Sequence, residues 1–412
     1  MLNIKFAGTY LLASVAMMIA VLLLIFPQQG FDAALRGVVI WWDVLFPALF
    51  PFFVISEMLL GFGIVHFLGT LLDPMMRPVF RLPGIGGFVM AMGFASGYPV
   101  GARLTSQLWD QKLVNREEAE RLVASTTSSD PIFLIGAVAV GFFHDVSLAL
   151  ILAAAHYGGA IIIGLLMRFH GASSKSTEQP VQSKGFIGKR AFQAMHKARL
   201  ADGRPIGILL SQSIKHSISL IFVVGGLVVF FSVVLEILTT GGIMSFLYHI
   251  VQWLLQLFGL PPALTDAVMK GVFEVTLGAK AAGSAAGDIS LVSKVAIAAF
   301  VLSWAGLSVH AQVVSLLSHT NLRYLPFVTA RFVHGIFSAA LVFLIWQPMQ
   351  PLRGEMSVFL PDYDVNAPLS SFVQMVIPTS LFVFAGTFVV ISLLFAAYSL
   401  LKLMYEKVGG TR

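Results

Sequence analysis

Residues 96–103 read Ser96-Gly97-Tyr98-Pro99-Val100-Gly101-Ala102-Arg103, inside the longer run GGFVMAMGFASGYPVGARLTSQLW at 86–109. An apolar rise stops there, and a second helical pattern follows it. The surrounding chain is 57% hydrophobic and only 11% charged, which makes lipid its natural solvent. In hydrocarbon every backbone N–H and C=O needs a partner, so a broken helix survives only where protein covers it or where it lines a cavity. Gly97 can take the positive φ that ends one helix. Pro99 suits the first turn of the next, where its missing N–H costs nothing. The second helix then begins at membrane depth with free amides, an anion site by geometry and dipole. Arg103 falls about one turn inside it. Ser96, Gly97, Tyr98, Gly101 and Arg103 are therefore expected to line a binding cavity.

The rest of the chain supports a polytopic, all-α membrane protein. Crossing about 30 Å of hydrocarbon takes about 20 helical residues, and 6–26, 38–62, 146–169, 206–238, 327–346 and 372–401 qualify. The first of these ends in Phe26-Pro27-Gln28-Gln29 rather than a small-residue cleavage site, so it is expected to be a retained helix. With no cysteine, the chain has no disulfide, thiolate metal site or cysteine nucleophile. Walker A, HExxH and GxSxG patterns are missing too, and neither an enzyme nor a cofactor or metal site is expected. The net charge of +6 is concentrated rather than spread, which excludes a nucleic-acid surface. Residues 168–204 hold Arg168, Lys175, Lys184, Lys189, Arg190, Lys197, Arg199 and Arg204 against Glu178 and Asp202. Residues 348–371 hold Arg353 against Glu355, Asp362 and Asp364. By the positive-inside rule the first segment is cytoplasmic and the second is not; Lys402, Lys407 and Arg412 place the C-terminus inside.

The basic segment divides the chain almost in the middle, and the halves echo each other. Gly101-Ala102-Arg103 has a counterpart in Gly278-Ala279-Lys280, 177 positions on. Glu57 matches Glu236 at an offset of 179, and the break at Ser128-Ser129-Asp130-Pro131 matches Gly306-Leu307-Ser308. Interrupted apolar segments at matching places in two halves of opposite orientation point to a secondary transporter. The organisation expected is a first repeat at 1–169 with a re-entrant hairpin near 84–143, then a basic loop at 170–204. A second repeat at 205–347 carries a hairpin near 263–317. A non-cytoplasmic loop at 348–371 leads to a last transmembrane helix and tail at 372–412.

In the second break, hydroxyl and carboxylate residues precede Pro131, the order of an N-cap and first turn. Ser128, Ser129 and Asp130 therefore join the candidate site. Lys280 follows from the repeat. Ser308 reads as a helix cap, with His310 and Gln312 in the turn after it. The polar stretch 110–121 is expected at a surface. Glu57 and Glu236 are expected to reach headgroups or pair with cations, and Arg331 to snorkel toward an interface.

These strings carry a resemblance. FDAALRGVVIWWDVLFPALFPFFVISEMLLGFG, GGFVMAMGFASGYPVGARL, REEAERLV, DPIFLIGAVAVGFFHD and WAGLSVHAQVVSLL are similar to the YlbJ (SpoVV) family of sporulation integral membrane proteins, over about residues 30–400. That family belongs to the nucleoside-recognition Gate group, related in fold to concentrative nucleoside carriers with inverted repeats and re-entrant hairpins. The resemblance implies a carrier of dipicolinic acid from the mother cell across the outer forespore membrane. It departs at Thr126–Pro131, where the family favours asparagine; Asp130 would either pair with Arg103 or bind calcium travelling with the acid. A flat ring with two carboxylates is expected to use Arg103 and the Ser96–Gly101 break at one end, and Lys280 with Ser308–His310 at the other. Expected partners are dipicolinate, with or without calcium, the lipid bilayer and, as an open alternative, further copies of the chain. A nucleoside carrier and a non-transporting envelope protein are the rival readings.

Overall fold

A computed structural model describes residues 4–174, 177, 186–351 and 353, and the described chain is helical with no strand. The non-cytoplasmic loop, last transmembrane helix and tail expected after 348 lie outside the described residues, apart from a few at their start. Helix α1 (Ile4–Ile25) meets α2 (Pro27–Ile40) at a bend of 102°. Phe26 leaves the helical region there, and Pro27 opens α2 at a position that needs no N–H. A π turn at Trp41–Leu45 joins α2 to α3 (Phe46–Gly61). The expected span 38–62 is therefore not one regular helix. Pro47 and Pro51 withhold backbone donors, and the ladder adjusts around them.

Gly63, at φ 79°, turns the chain into α4 (Ile64–Met75) and a second π turn at Met76–Phe80. Next come α5 (Gly86–Ser96), α6 (Tyr98–Asp110) and α7 (Arg116–Thr126), then a π-helical arm at Phe133–Phe142 and α8 (Leu148–Met167). In the second half α9 (Ile187–Asp202) lies in the basic segment. It is followed by α10 (Ile206–Thr240), α11 (Ser245–Leu257), α12 (Thr265–Phe273), α13 (Val275–Gly283), α14 (Leu291–Trp304), α15 (Gly306–Leu317) and α16 (Tyr324–Trp346).

Helices α8, α10 and α16 match the expected spans at 146–169, 206–238 and 327–346, and each is long and apolar enough to cross a bilayer. Their outer faces expose Ile161, Phe222, Phe230, Phe332 and Leu344. Serine, histidine and arginine are meanwhile fully buried at Ser213, His156, Ser303, Arg331 and Ser338. Large apolar residues outside and polar groups inside suit lipid rather than water as the surrounding solvent.

The largest hydrophobic cluster joins the two halves, and a second is built by α4 to α7 and the π turn at Met76–Phe80. Residues Phe133, Leu134 and Leu152 of the first half share one cluster with Ile221, Val295 and Leu302 of the second. Within it α14 packs on α16, α16 on α8, and α10 on α2 and α3.

The polar stretch 110–121 corrects an expectation. Its C-terminal part is not solvated: Glu118, Glu120 and Arg121 are buried. Asn115 and Glu118 form a reciprocal capping box at the start of α7. Glu120 accepts hydrogen bonds from Arg323 at 2.7 and 2.9 Å and lies 2.6 Å from His170 Nε2. Burial by itself would raise the Glu120 carboxyl. The bonds and charge of Arg323, with the His170 contact, outweigh it and hold the group below the ordinary carboxylate range. Arg121 donates to the carbonyls of Arg81, His170 and Gly171. Helix α7 is thereby tied to the chain after α8 and to the start of α16.

Candidate functional site

Four helix interruptions meet around one internal cavity. In the first half they are Gly97, between α5 and α6, and 127–130, between α7 and the π arm. In the second half they are Glu274, between α12 and α13, and Ala305, between α14 and α15. Glu274 lies 177 positions after Gly97, and Ala305 the same distance after Ser128. The cavity is lined by Ser96, Gly97, Tyr98, Asp130, Glu274 and Thr276, with Ser308, Gln312 and apolar residues of α3 and α10 completing it.

Each acid caps the helix that follows it. Asp130 Oδ1 accepts from the amides of Ile132 and Phe133 at 3.0 and 2.9 Å. Glu274 Oε2 accepts from Leu277 N at 2.9 Å, and Thr276 Oγ1 donates to its Oε1 at 3.3 Å. Each acid also nests against a glycine. A Cβ on Gly97 would lie 3.0 Å from Asp130 Oδ2, and one on Gly306 would lie 3.0 Å from the Glu274 backbone. Both glycines have positive φ, 86° and 74°. The order is crossed: glycine break then acid break in the first half, acid break then glycine break in the second. No side chain caps α6 or α15.

The expected site residues divide into three groups. Ser96, Gly97, Tyr98, Asp130, Ser308 and Gln312 come together at the cavity. Tyr98 also donates to Leu302 O at 2.8 Å, fastening the first break to α14. Ser308 is not the cap expected of it. Helix α15 starts two residues earlier, after Ala305, because Ala305 and Gly306 both take the left-handed turn. Gln312 donates back to Ser308 O at 3.3 Å.

Gly101, Ser128, Ser129 and His310 support the site without lining this cavity. Gly101 lets α6 press against Thr126. Ser128 Oγ lies 2.9 Å from His156 Nε2, and Ser129 N donates to the same nitrogen at 3.1 Å. His310 lies 2.6 Å from the Tyr324 hydroxyl and 3.1 Å from Trp304 O, with its ring 4.3 Å from that of Trp304.

The cations lie apart. Arg103 lines a neighbouring chamber with Glu57, Gln107 and His216, which shares Phe53, Ser96 and Leu220 with the central cavity. Lys280 lines another, with Arg36, Glu236, Asp266 and Lys270. Lys280 is therefore not placed with Ser308–His310. Among the described residues Arg103 pairs with no carboxylate; Asp130, its suggested partner, faces backbone amides instead. Glu57 pairs with His216 at 3.1 Å and Glu236 with Arg36 at 2.6 Å.

The expected site residues leave out three groups. Glu274 lines the cavity, and the signal for it was available: extending the 177-residue offset from Gly97 lands on it. His156 and His334 are buried and stacked, their rings 5.1 Å apart, and are themselves related by an offset of 178. His156 Nδ1 lies 2.8 Å from Ser303 Oγ, which bonds Ser338 Oγ at 2.8 Å, so a polar strut runs behind the cavity from one half to the other. Arg331 does not snorkel. It is fully buried and donates to the carbonyls of Ala124, at 2.8 Å, and Thr127. These are carbonyls at the end of α7 that the break leaves without helical partners. A lone arginine at the start of an apolar span carries no pattern that would reveal such a contact.

The Gate family model, described as nucleoside recognition, matches residues 43–161 and 221–320, segments that contain all four breaks. The sporulation integral membrane protein YlbJ of Bacillus subtilis is 43% identical over 352 residues, 84% of this chain and 85% of the relative. Among solved structures, CNTnw in an inward-facing substrate-bound state is similar at TM-score 0.46 and 13% identity, over 83% of this chain and 86% of the other. A double variant of CNTnw in an outward-facing state matches at TM-score 0.46 and 15% identity, over 82% and 85%. The chain belongs to the YlbJ family of sporulation integral membrane proteins and to the Gate group.

Proposed function

We propose that this protein carries dipicolinate out of the mother cell across the outer forespore membrane. The observation that supports it most is the single internal cavity where four helix breaks meet, two from each half. Two inverted repeats rocking about such a midplane site would open it alternately to each side. The basic segment 168–204 would face the mother-cell cytoplasm.

The lining constrains how the acid travels. Asp130 and Glu274 are the ionisable groups of the cavity apart from Tyr98, and in their carboxylate form they would repel a bare dianion. Dipicolinate therefore passes the centre neutralised, as a chelate with calcium or with protons. The flat ring lies against Tyr98, Phe53 and Phe133, and the hydroxyls of Ser96 and Ser308 with the Gln312 amide meet its polar edge. Arg103 and Lys280 serve the flanking chambers.

The same two carboxylates favour a second reading. A neutral, hydroxyl-rich solute such as a nucleoside would use Asp130, Glu274 and Gln312 as acceptors and donors, with no need of calcium. One experiment separates the two: uptake of labelled dipicolinate into proteoliposomes, with and without calcium, in the presence of excess uridine. Saturable uptake indifferent to uridine supports the dipicolinate carrier. Uridine uptake with no dipicolinate uptake replaces it by the second reading.

A further inference from the structure

Three cavities are strung along one helix. The Arg103 chamber touches α10 at His216, Ser217 and Leu220. The central cavity touches it from Leu220 to Leu227. The Lys280 chamber touches it at Ser232, Leu235, Glu236 and Thr239. From His216 to Glu236 the helix rises about 30 Å at 1.5 Å per residue, the thickness of the hydrocarbon itself. The two outer chambers therefore lie toward opposite faces of the membrane, with the central cavity between them.

The helices that supply the cations repeat the same geometry. Helices α6 and α13 both begin at the central cavity, where Tyr98 and Pro99 of one and Val275 and Thr276 of the other line it. Arg103 and Lys280 each sit six positions past their break, so each backbone lies about 9 Å along its helix from the centre. Gln107 and Ser284, one turn further on and again 177 positions apart, line the same two chambers. Most neighbouring charges are paired: Glu57 with His216 and Glu236 with Arg36, while Asp266 takes Lys270 at 2.7 Å and the Tyr248 hydroxyl at 3.1 Å. Asp43 faces Lys280 electrostatically without forming an ion pair with it. Among the described residues Arg103 and Lys280 themselves pair with no carboxylate.

We infer that Arg103 and Lys280 are twin docking stations for a carboxylate-bearing solute, one at each mouth of the path and occupied in turn rather than together. This rests on the transport reading above and adds the order of events. The acid meets Arg103 on the side of the basic segment, is neutralised, passes Asp130 and Glu274, and is received by Lys280.

The chain has no cysteine, so single cysteines report on each mouth without further engineering. Gln107→Cys and Ser284→Cys are placed in right-side-out and inside-out vesicles and treated with membrane-impermeant thiol reagents. The first should react from the face of the basic segment and the second from the opposite face. At both, a sulfonate reagent should outpace an ammonium reagent of the same size by roughly tenfold, and Arg103→Gln or Lys280→Gln should abolish the preference at its own mouth only. Arg103→Lys and Lys280→Arg should restore it. Labelling of both cysteines from one face, or a preference that survives loss of the cation, overturns the twin arrangement. Dipicolinate in the same vesicles should slow the sulfonate reaction at both mouths. If it does not, while sidedness and preference hold, the stations stand and dipicolinate as their solute falls.

Discussion

The two halves build the same cavity from the same offset and in opposite order. At residue 97 the break is a glycine, whose φ of 86° with extended ψ is open to almost nothing else. At residue 274 it is a glutamate with ordinary extended backbone, φ −146° and ψ 125°, whose carboxylate caps the helix it interrupts. The second breaks exchange these roles: Asp130 caps its helix, while Ala305 and Gly306 turn left-handed with no cap. A glycine break needs room and an acid break fills it, so each half nests one kind against the other. The symmetry of the cavity is therefore one of space and charge, and not of residue type.

The largest effects should come from the acids. Asp130→Ala and Glu274→Ala each remove a cap, costing about 0.5–2 kcal/mol of stability, and also a charge that faces the solute. Uptake should fall at least roughly tenfold, since one charge-assisted contact is worth about 1.5–3 kcal/mol. Asp130→Asn retains a capping oxygen, so it should restore the thermal midpoint and leave uptake impaired. If uptake returns along with the midpoint, Asp130 serves the fold alone. Comparable losses at 130 and 274 would uphold the crossed pairing; a loss at only one would break it.

The glycines come next. Gly97→Ala forces a side chain into a conformation worth about 1–3 kcal/mol of strain, with its Cβ against Asp130. Gly306→Ala adopts a left-handed turn that costs roughly 1–2 kcal/mol and adds a backbone contact. Both should lower the thermal midpoint in detergent, Gly97→Ala the more. A neutral result at 97 would mean that the break can be re-formed without a positive φ.

The halves are also joined away from the cavity, where Glu120 of α7 holds Arg323 before α16. A carboxyl held below its ordinary range stabilises the fold above its unfolded pKa, about 4.3, and loses that contribution as pH falls through the lowered value. The midpoint difference between the natural chain and Glu120→Gln should therefore be constant from about pH 8 to pH 5 and shrink below about pH 4. A difference that stays unchanged below about pH 4 would mean that the pair contributes nothing as an ion pair.

Much of this was legible in the sequence, and the limits of that legibility are physical. Gly97 and Pro99 announce a break because their backbone chemistry is local. The long apolar runs at α8, α10 and α16 announce spans because bilayer thickness fixes their length. Arg103 and Lys280 were paired by the repeat and expected at the two ends of one ligand, and they line separate chambers. A repeat offset specifies equivalence and leaves direction in space open, and antiparallel copies send equivalent residues to opposite sides. Glu274 was left out of the expected lining because its residue type differs from that of its partner, Gly97, and a repeat read by matching residue types passes over it. His156, Ser303 and Arg331 answer buried backbone and hydroxyl groups across the core, and contacts between helices leave no mark on the period of either one.

The smallest effect tests the crossed order at its least comfortable residue. Ala305 has φ 75° and ψ −6°, a left-handed turn taken by a residue with a Cβ, where the first half uses Gly97. The strain is about 1 kcal/mol, tolerated because Gly306 continues the turn against Glu274 and because Tyr98 and Trp304 hold α14 on either side, through Leu302 O and Val272 O. Ala305→Gly relieves that strain but also loosens the unfolded chain, so the two contributions partly cancel. The net change in the native state should be a slight rise in thermal midpoint. A fall would show that the Ala305 methyl, fully buried in the core, contributes more by packing than its backbone loses in strain. The acid at 274 would then rest on a packed turn rather than a strained one, and Ala305 would be no counterpart of the glycine at 97.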